Sequence, residues 1–115
     1  DALGHQLRPL LAAYPGAVLV ADNRTFLAHL AYELRAQHPD YASWNPEHQH
    51  SDHYKLTTDL NAYRGRPILF VTRDALPPSV TRHTRPQRLT TLSTTLPGDR
   101  QLTLDVYLLN DFEGY

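Results

Sequence analysis

Hydrophobic residues in the first 44 positions recur with the spacings of helices and strands. A helix over residues 2–14 is predicted by apolar residues at helical spacing, namely Leu3, Leu7, Leu10, Leu11 and Tyr14. Pro15-Gly16 should end this helix, and Pro9 should bend or restart it. The apolar run 17–21 predicts a strand buried on both faces. A second helix is expected over 24–37 and a second short strand over 41–44, so this half of the chain predicts a β-α-β unit.

The second half of the chain is richer in strand patterns. Residues 45–53 are polar and predict a loop, whereas 68–72 (ILFVT) predicts a buried strand. Residues 73–88 contain three prolines and predict a long irregular loop. Apolar residues alternate over 89–95 and 102–108, around a Pro97-Gly98-Asp99 turn, which predicts a hairpin with one solvated face. We therefore expect the α/β class: a single three-layer-like domain over 1–115, with a mixed, mostly parallel sheet, flanking helices and a C-terminal hairpin.

Composition narrows the classes of protein that fit this fold. The 11 Lys+Arg against 12 Asp+Glu argue against a nucleic-acid partner, which selects for a basic excess. The absence of Cys excludes disulfides, Cys nucleophiles and Cys-ligated zinc. The chain begins at Asp1 and contains no Met, which predicts a fragment of a longer protein. It has no apolar stretch of the roughly 18 residues that a membrane span needs.

A cluster of histidines in the polar loop is a candidate metal site. His48, His50 and His53 lie close together in the sequence, beside Glu47 and Asp52. Imidazole and carboxylate groups suit zinc, and three such ligands plus water would make an open site. The alternative is a His-rich polar loop without a metal, since the spacing follows no established zinc pattern.

Taken in order, several segments resemble one family. They are Ala21-Asp22 after the first strand, the helix core Leu30–Leu34 (LAYEL), Trp44-Asn45-Pro46, Asp52–Leu56 (DHYKL), the strand 68–73 and the final Val106-Tyr107. Their order and spacing resemble the soluble C-terminal domain of bacterial family 39 glycosyltransferases. These are relatives of the protein O-mannosyltransferases and of the aminoarabinose transferases that modify lipid A. The resemblance extends from about Leu3 to Phe112.

The resemblance implies a function for the longer protein rather than for this chain alone. Family members are multi-span membrane enzymes that transfer a sugar from a polyprenyl-phosphate carrier to a lipid, protein or glycan. Their catalytic acid and lipid site lie in regions that this sequence lacks, so no residue here inherits a catalytic role and no cofactor is implied. The expected partners are the transmembrane domain of the same chain and a lipid or glycan acceptor, and the expected location is the periplasmic or outer face.

Two groups of residues are candidate contact sites. Asp52, His53, Tyr54 and Lys55 form the segment of best match, which would face the membrane domain or the acceptor, although relatives commonly have Asn at the position of Asp52. The alternative is that Tyr54 and Leu56 anchor the loop in the core. Phosphate or headgroup contact is predicted for the arginines of the 73–88 segment, Arg73, Arg82, Arg85 and Arg88. They could instead form a solvated basic loop.

A stand-alone carbohydrate-binding module is a hypothesis from another class. Its candidate stacking residues are Tyr14, Tyr32, Tyr41, Trp44, Tyr54, Tyr63 and Tyr107. A His-loop metal protein is the third hypothesis. The sequence contains no glycine-rich dinucleotide fingerprint, no Walker loop and no nucleophile elbow.

Overall fold

The structure, a computed structural model, describes residues 2–21, 24–37, 39–44, 60–73, 75–96 and 98–114. Its helices are α1 (Ala2–Ala13), α2 (Arg24–Glu33) and α3 (Pro78–His83). Its strands are β1 (Val18–Ala21), β2 (Asp40–Ser43), β3 (Ile68–Thr72), β4 (Arg85–Leu96) and β5 (Arg100–Asn110). Short 3₁₀ helices cover Arg35–Gln37 and Leu60–Tyr63.

The five strands form one mixed sheet in the order β2-β1-β3-β5-β4. β1 pairs in parallel with both β2 and β3. β5 then lies antiparallel between β3 and β4. This is the α/β fold with a mixed sheet and a C-terminal hairpin that the sequence predicts, and the β1-α2-β2 unit is confirmed.

Both faces of the sheet are covered, which gives three layers. Alternate residues of the buried strands point to opposite faces, because the side-chain period of a strand is two. Leu19, Leu69 and Val71 pack with Leu7 of α1 and Leu30 of α2 on one face. The other face carries a second apolar cluster, formed by Val18, Val20, Ala42, Trp44, Leu60, Ile68, Phe70, Val80, Leu109 and Phe112. The two-sided burial explains why β1 and β3 are continuous apolar runs in the sequence.

The hairpin follows the predicted alternation. Leu92, Leu104 and Val106 are buried toward the α1 face, whereas Ser93 and Thr103, which pair across the two strands, are exposed. At the turn, Gly98 and Asp99 both have positive φ, 83° and 60°. Glycine adopts this conformation without a steric cost and Asp tolerates it, so the turn chemistry fits the tight reversal.

Two local predictions differ from the structure. The irregular loop expected over 73–88 is wrong, because Pro78–His83 is helical and β4 already begins at Arg85. Proline fits the first turn of a helix, where its missing N–H is not needed, and it is also tolerated in an edge strand such as β4. Helix α1 does not restart at Pro9 but continues through it as one helix.

The second predicted helix is divided at its C-terminal end. α2 ends at Glu33, and the last turn is a 3₁₀ helix in which the Gln37 N–H donates to the Leu34 carbonyl at 3.0 Å. A 3₁₀ turn is a common way to satisfy the last carbonyls of a helix. The chain then enters β2 at Asp40, directly after Pro39.

Candidate functional site

The carboxyl ends of the parallel strands form the edge where α/β sheets usually bind ligands. β1, β2 and β3 end there at Ala21, Ser43 and Thr72. The chain runs from β1 to one neighbour, β2, and then returns past it to the other, β3, so the topological switch point lies between β1 and β3. Asp22, the residue that follows β1, lies outside the described residues.

Trp44 anchors the chain where it leaves β2. Its ring is 9% exposed, and its indole N–H donates to the Ser79 hydroxyl at 2.7 Å. The ring centroids of Phe70 and Phe112 lie 6.0 and 6.1 Å from that of Trp44. The first pair is edge-to-face and the second is tilted, and both distances fall in the range that aromatic pairs prefer. Trp44 is therefore a core residue, and it offers no surface on which a sugar could stack.

The central candidate segment lies between β2 and the 3₁₀ helix Leu60–Tyr63 in the sequence. Residues 45–59, which include His48, His50, Asp52, His53, Tyr54 and Lys55, lie outside the described residues. Among the residues that are described, no three His, Asp or Glu side chains are grouped so that they could hold a metal ion. The metal site and the contact surface at 52–55 remain predictions. Leu60, the first described residue after this segment, is 1% exposed and packs in the core.

The four candidate arginines are distributed over the sheet rather than gathered in one loop. Arg73 follows β3, Arg82 lies on α3, and Arg85 and Arg88 belong to β4. Thr72 pairs with Asp105 and Arg85 pairs with Asn110. Because strands rise about 3.4 Å per residue, these two levels of β5 are about 17 Å apart. Arg73 and Arg85 consequently lie toward opposite ends of the sheet.

Two of these arginines have carboxylate neighbours. Arg85 Nε lies 3.6 Å from Asp111, and Arg88 Nη2 lies 3.6 Å from Asp105. The Arg88 guanidinium also donates to the Thr91 hydroxyl at 2.7 Å. Arg73 and Arg82 are exposed and make no hydrogen bond or ion pair with another described residue. Phosphate contact stays a prediction. Arg73 and Arg82 suit it better than Arg85 and Arg88, which already have carboxylate neighbours.

The candidate stacking residues that the structure describes do not form one aromatic surface. Tyr32 is 62% exposed on α2, and the Arg35 guanidinium covers its ring at 4.1 Å from the centroid. Tyr41 donates its hydroxyl hydrogen to the Ala31 carbonyl at 3.1 Å, which ties β2 to α2. Burial raises the pKa of Tyr41 above its usual value of 10.0. These rings therefore contribute separately to packing.

Sequence reasoning missed a polar cleft at the opposite edge, where the parallel strands begin. The cleft has a volume of about 210 Å³ and is lined by Leu11, Tyr14, Gly16, Ala17, Gln37, Pro39, Asp40 and Arg66. Arg66 crosses it: Nε donates to the Gly16 carbonyl at 2.9 Å, and Nη2 lies 2.8 Å from Asp40 Oδ2. The guanidinium also lies over the Tyr63 ring, 5.0 Å from its centroid. We refer to this feature as the amino-edge cleft.

No residue pattern in the sequence predicts the amino-edge cleft, because its polar side chains come from three separate segments. The available signal was the expected parallel pairing of the strands, which places the residues before β1, β2 and β3 side by side.

The comparisons with known proteins do not assign the chain to a family. No family model, no curated protein and no solved structure matches it. In the part of the chain that the structure describes, no helix is long and apolar enough to cross a membrane.

Proposed function

We propose that this chain is an outward-facing accessory domain of a membrane glycosyltransferase that uses a polyprenyl-phosphate sugar. The observation that carries the proposal is the position of the family-like segments. Ala21 ends β1, Leu30 and Leu34 are fully buried in or beside α2, Trp44 follows β2, and 68–72 forms β3. The resemblance thus runs through the sheet and its covering helix in chain order, which supports a shared framework.

Within this proposal, the segment 45–59 is the part of the domain that meets the membrane half or the acceptor. The described residues that flank it, Trp44 and Leu60, are both buried in the same apolar cluster. A segment whose two ends are fixed in a core is presented from a constant position on the scaffold, which is how binding loops are usually held. The residues proposed for contact there are Asp52, His53, Tyr54 and Lys55.

Arg73 and Arg82 are proposed to contact lipid phosphate. Both guanidinium groups are exposed and have no carboxylate neighbour among the described residues. Arg can donate two parallel hydrogen bonds to phosphate oxygens, and each basic residue near an anionic membrane surface contributes about 1 kcal/mol. Arg85 and Arg88 have less capacity for this role, because each already lies 3.6 Å from a carboxylate oxygen.

Cell fractionation tests the attachment to a membrane protein. Antibodies raised against the 13.1 kDa chain should detect a much larger polypeptide in the membrane fraction of the source cells. Protease should remove the epitope only after the outer face of that membrane has been made accessible. A soluble antigen of about the size of the chain itself would rule out the proposal.

Amide NMR of the isolated chain tests the contact surfaces. We expect a water-soluble polyprenyl-phosphate analogue to shift the amides around Arg73 and Arg82, and Arg73→Ala together with Arg82→Ala to abolish these shifts. Arg100→Ala, which removes an exposed arginine at the hairpin turn, is the matched control and should change nothing. Equal losses of the shifts in the double variant and in Arg100→Ala would indicate only non-specific attraction of the phosphate. A parallel titration with zinc tests the histidine cluster.

A further inference from the structure

We infer that the amino-edge cleft binds one sugar unit of an uncharged glycan. This inference concerns the isolated chain and does not depend on attachment to a membrane enzyme. Ligand pockets for drug-sized molecules measure about 300–1,000 Å³. The volume of about 210 Å³ in this cleft therefore suits a single small ring.

The charges in the cleft favour a neutral ligand. Among the described residues that line it, the charged ones are Asp40 and Arg66, and their side chains form an ion pair at 2.8 Å. An anion such as phosphate would be attracted by the guanidinium but repelled by the carboxylate beside it. A cation would be attracted by the carboxylate but repelled by the guanidinium. A molecule with many hydroxyl groups meets no such conflict, because a hydroxyl can donate to the carboxylate and accept from the guanidinium.

The hydrogen-bonding groups of the cleft have unused capacity beyond the ion pair. Within the described part of the chain, the Tyr14 hydroxyl and the Gln37 side-chain amide make no hydrogen bond. Tyr14 can donate and accept, and Gln37 supplies two donors and one acceptor. The carboxylate of Asp40 keeps a second oxygen beyond the one paired with Arg66. The cleft thus offers both donors and acceptors to the vicinal hydroxyls of a sugar.

The remaining walls supply the apolar contact that a sugar ring needs. Leu11 and Tyr14, both partly buried, line one side of the cleft, and Pro39 lines it as well. A pyranose has C–H groups on its ring faces and hydroxyls around its rim, so an aromatic or aliphatic wall combined with polar edges is complementary to it. The position of Arg66 is fixed by its bond to Gly16 as well as by Asp40, so the polar edge is preorganised.

Titration of the isolated chain with methyl glycosides tests the inference. We would add the methyl glycosides of glucose, galactose, mannose and N-acetylglucosamine separately, at concentrations up to the high millimolar range, and record amide NMR spectra. At least one should give saturable shifts at Gly16, Ala17, Gln37 and Asp40. Absence of saturable shifts there with all four sugars, or shifts spread evenly over the surface, would overturn the inference.

A matched pair of glutamine variants separates the cleft from the rest of the surface. Gln37→Ala removes one amide from the cleft and should weaken binding about three- to tenfold, the effect of losing one hydrogen bond to a neutral group. Gln87→Ala removes an exposed amide from β4, away from the cleft, and should leave the affinity unchanged. Equal effects of the two variants would contradict the assignment.

An Asp40→Asn variant tests the charge argument directly. The wild-type cleft should show no saturable response to inorganic phosphate, since Asp40 balances Arg66. Asp40→Asn retains the shape but leaves the guanidinium unbalanced, so phosphate should now shift the amides around Gly16. Saturable phosphate binding by the wild-type chain at these amides would show that the cleft selects anions and would refute the inference.

Discussion

Replacing Phe112 by Ala should remove a large part of the stability of this domain. Phe112 lies beyond β5, and its side chain is fully buried in the apolar cluster on the α3 face, with its ring 6.1 Å from that of Trp44. Its carbonyl also accepts a hydrogen bond from the Gly65 N–H at 2.8 Å. Truncating a buried Phe costs about 3–5 kcal/mol, because the apolar transfer energy is lost and a cavity remains.

The total free energy of unfolding of a domain is about 5–15 kcal/mol, so this loss should be easy to measure. Urea unfolding of small proteins has slopes of about 1–3 kcal/mol per molar urea, so we expect the midpoint to fall by about 2 M. Trp44 is the single Trp of the chain, and its fluorescence reports on the cluster that Phe112 joins. Circular dichroism should follow the same transition if unfolding is two-state.

Tyr32→Ala is the control for removal of an aromatic ring. Tyr32 is 62% exposed, and its chief contact is the Arg35 guanidinium over its ring. Losing an exposed cation–π contact costs about 0.5–1 kcal/mol. If Phe112→Ala destabilises the chain no more than Tyr32→Ala does, the C-terminal segment is not docked on the sheet as described.

Three further outcomes are expected. Burial raises the pKa of Tyr41, so the stability that its neutral hydroxyl contributes is fully present below the unfolded pKa of about 10 and is lost as the pH rises through the folded pKa. Tyr41→Phe has no group to ionise and should therefore lose less stability at alkaline pH. Urea unfolding at several pH values measures this difference. Gly16 has φ of 82°, so Gly16→Ala should destabilise the chain by about 1–2 kcal/mol, measured in the same assay. The half-exposed ion pair of Asp40 and Arg66 should contribute less than about 1 kcal/mol in a double-mutant cycle at low salt, and less still at high salt; a larger, salt-independent coupling would contradict this.

Sequence patterns predicted the strands that are buried on both faces and the strands whose residues alternate between buried and exposed. β3 was predicted to the residue, because four consecutive apolar side chains followed by the buried Thr72 leave a clear signal in the sequence. The hairpin was predicted because one of its faces is solvated, which produces strict alternation. The start of β4 was missed, since its first residues include Pro86 and exposed arginines and pair at the edge of the sheet, where apolar side chains are not required.

The amino-edge cleft could not be predicted in the same way, for a different physical reason. Tyr14, Gln37, Asp40 and Arg66 belong to three separate segments, and these become neighbours only through the parallel pairing of β1 with β2 and β3. Each side chain taken singly is typical of a surface. Only the register of the sheet makes them one site, and register is a long-range property that local periodicity does not contain.

The position of β5 in the sheet has a consequence for how the chain is made. Of the five described strands, β5 is synthesised last, yet it pairs with both β3 and β4. Until β5 has been made, β3 has one unpaired edge and β4 has no partner among the other described strands. The backbone hydrogen-bonding groups of both therefore stay unpaired. Pairings between distant strands slow folding. We expect the nascent chain to depend on protection of these edges until Asn110 has been added, and ribosome-arrested chains that stop before β5 to be degraded readily by protease.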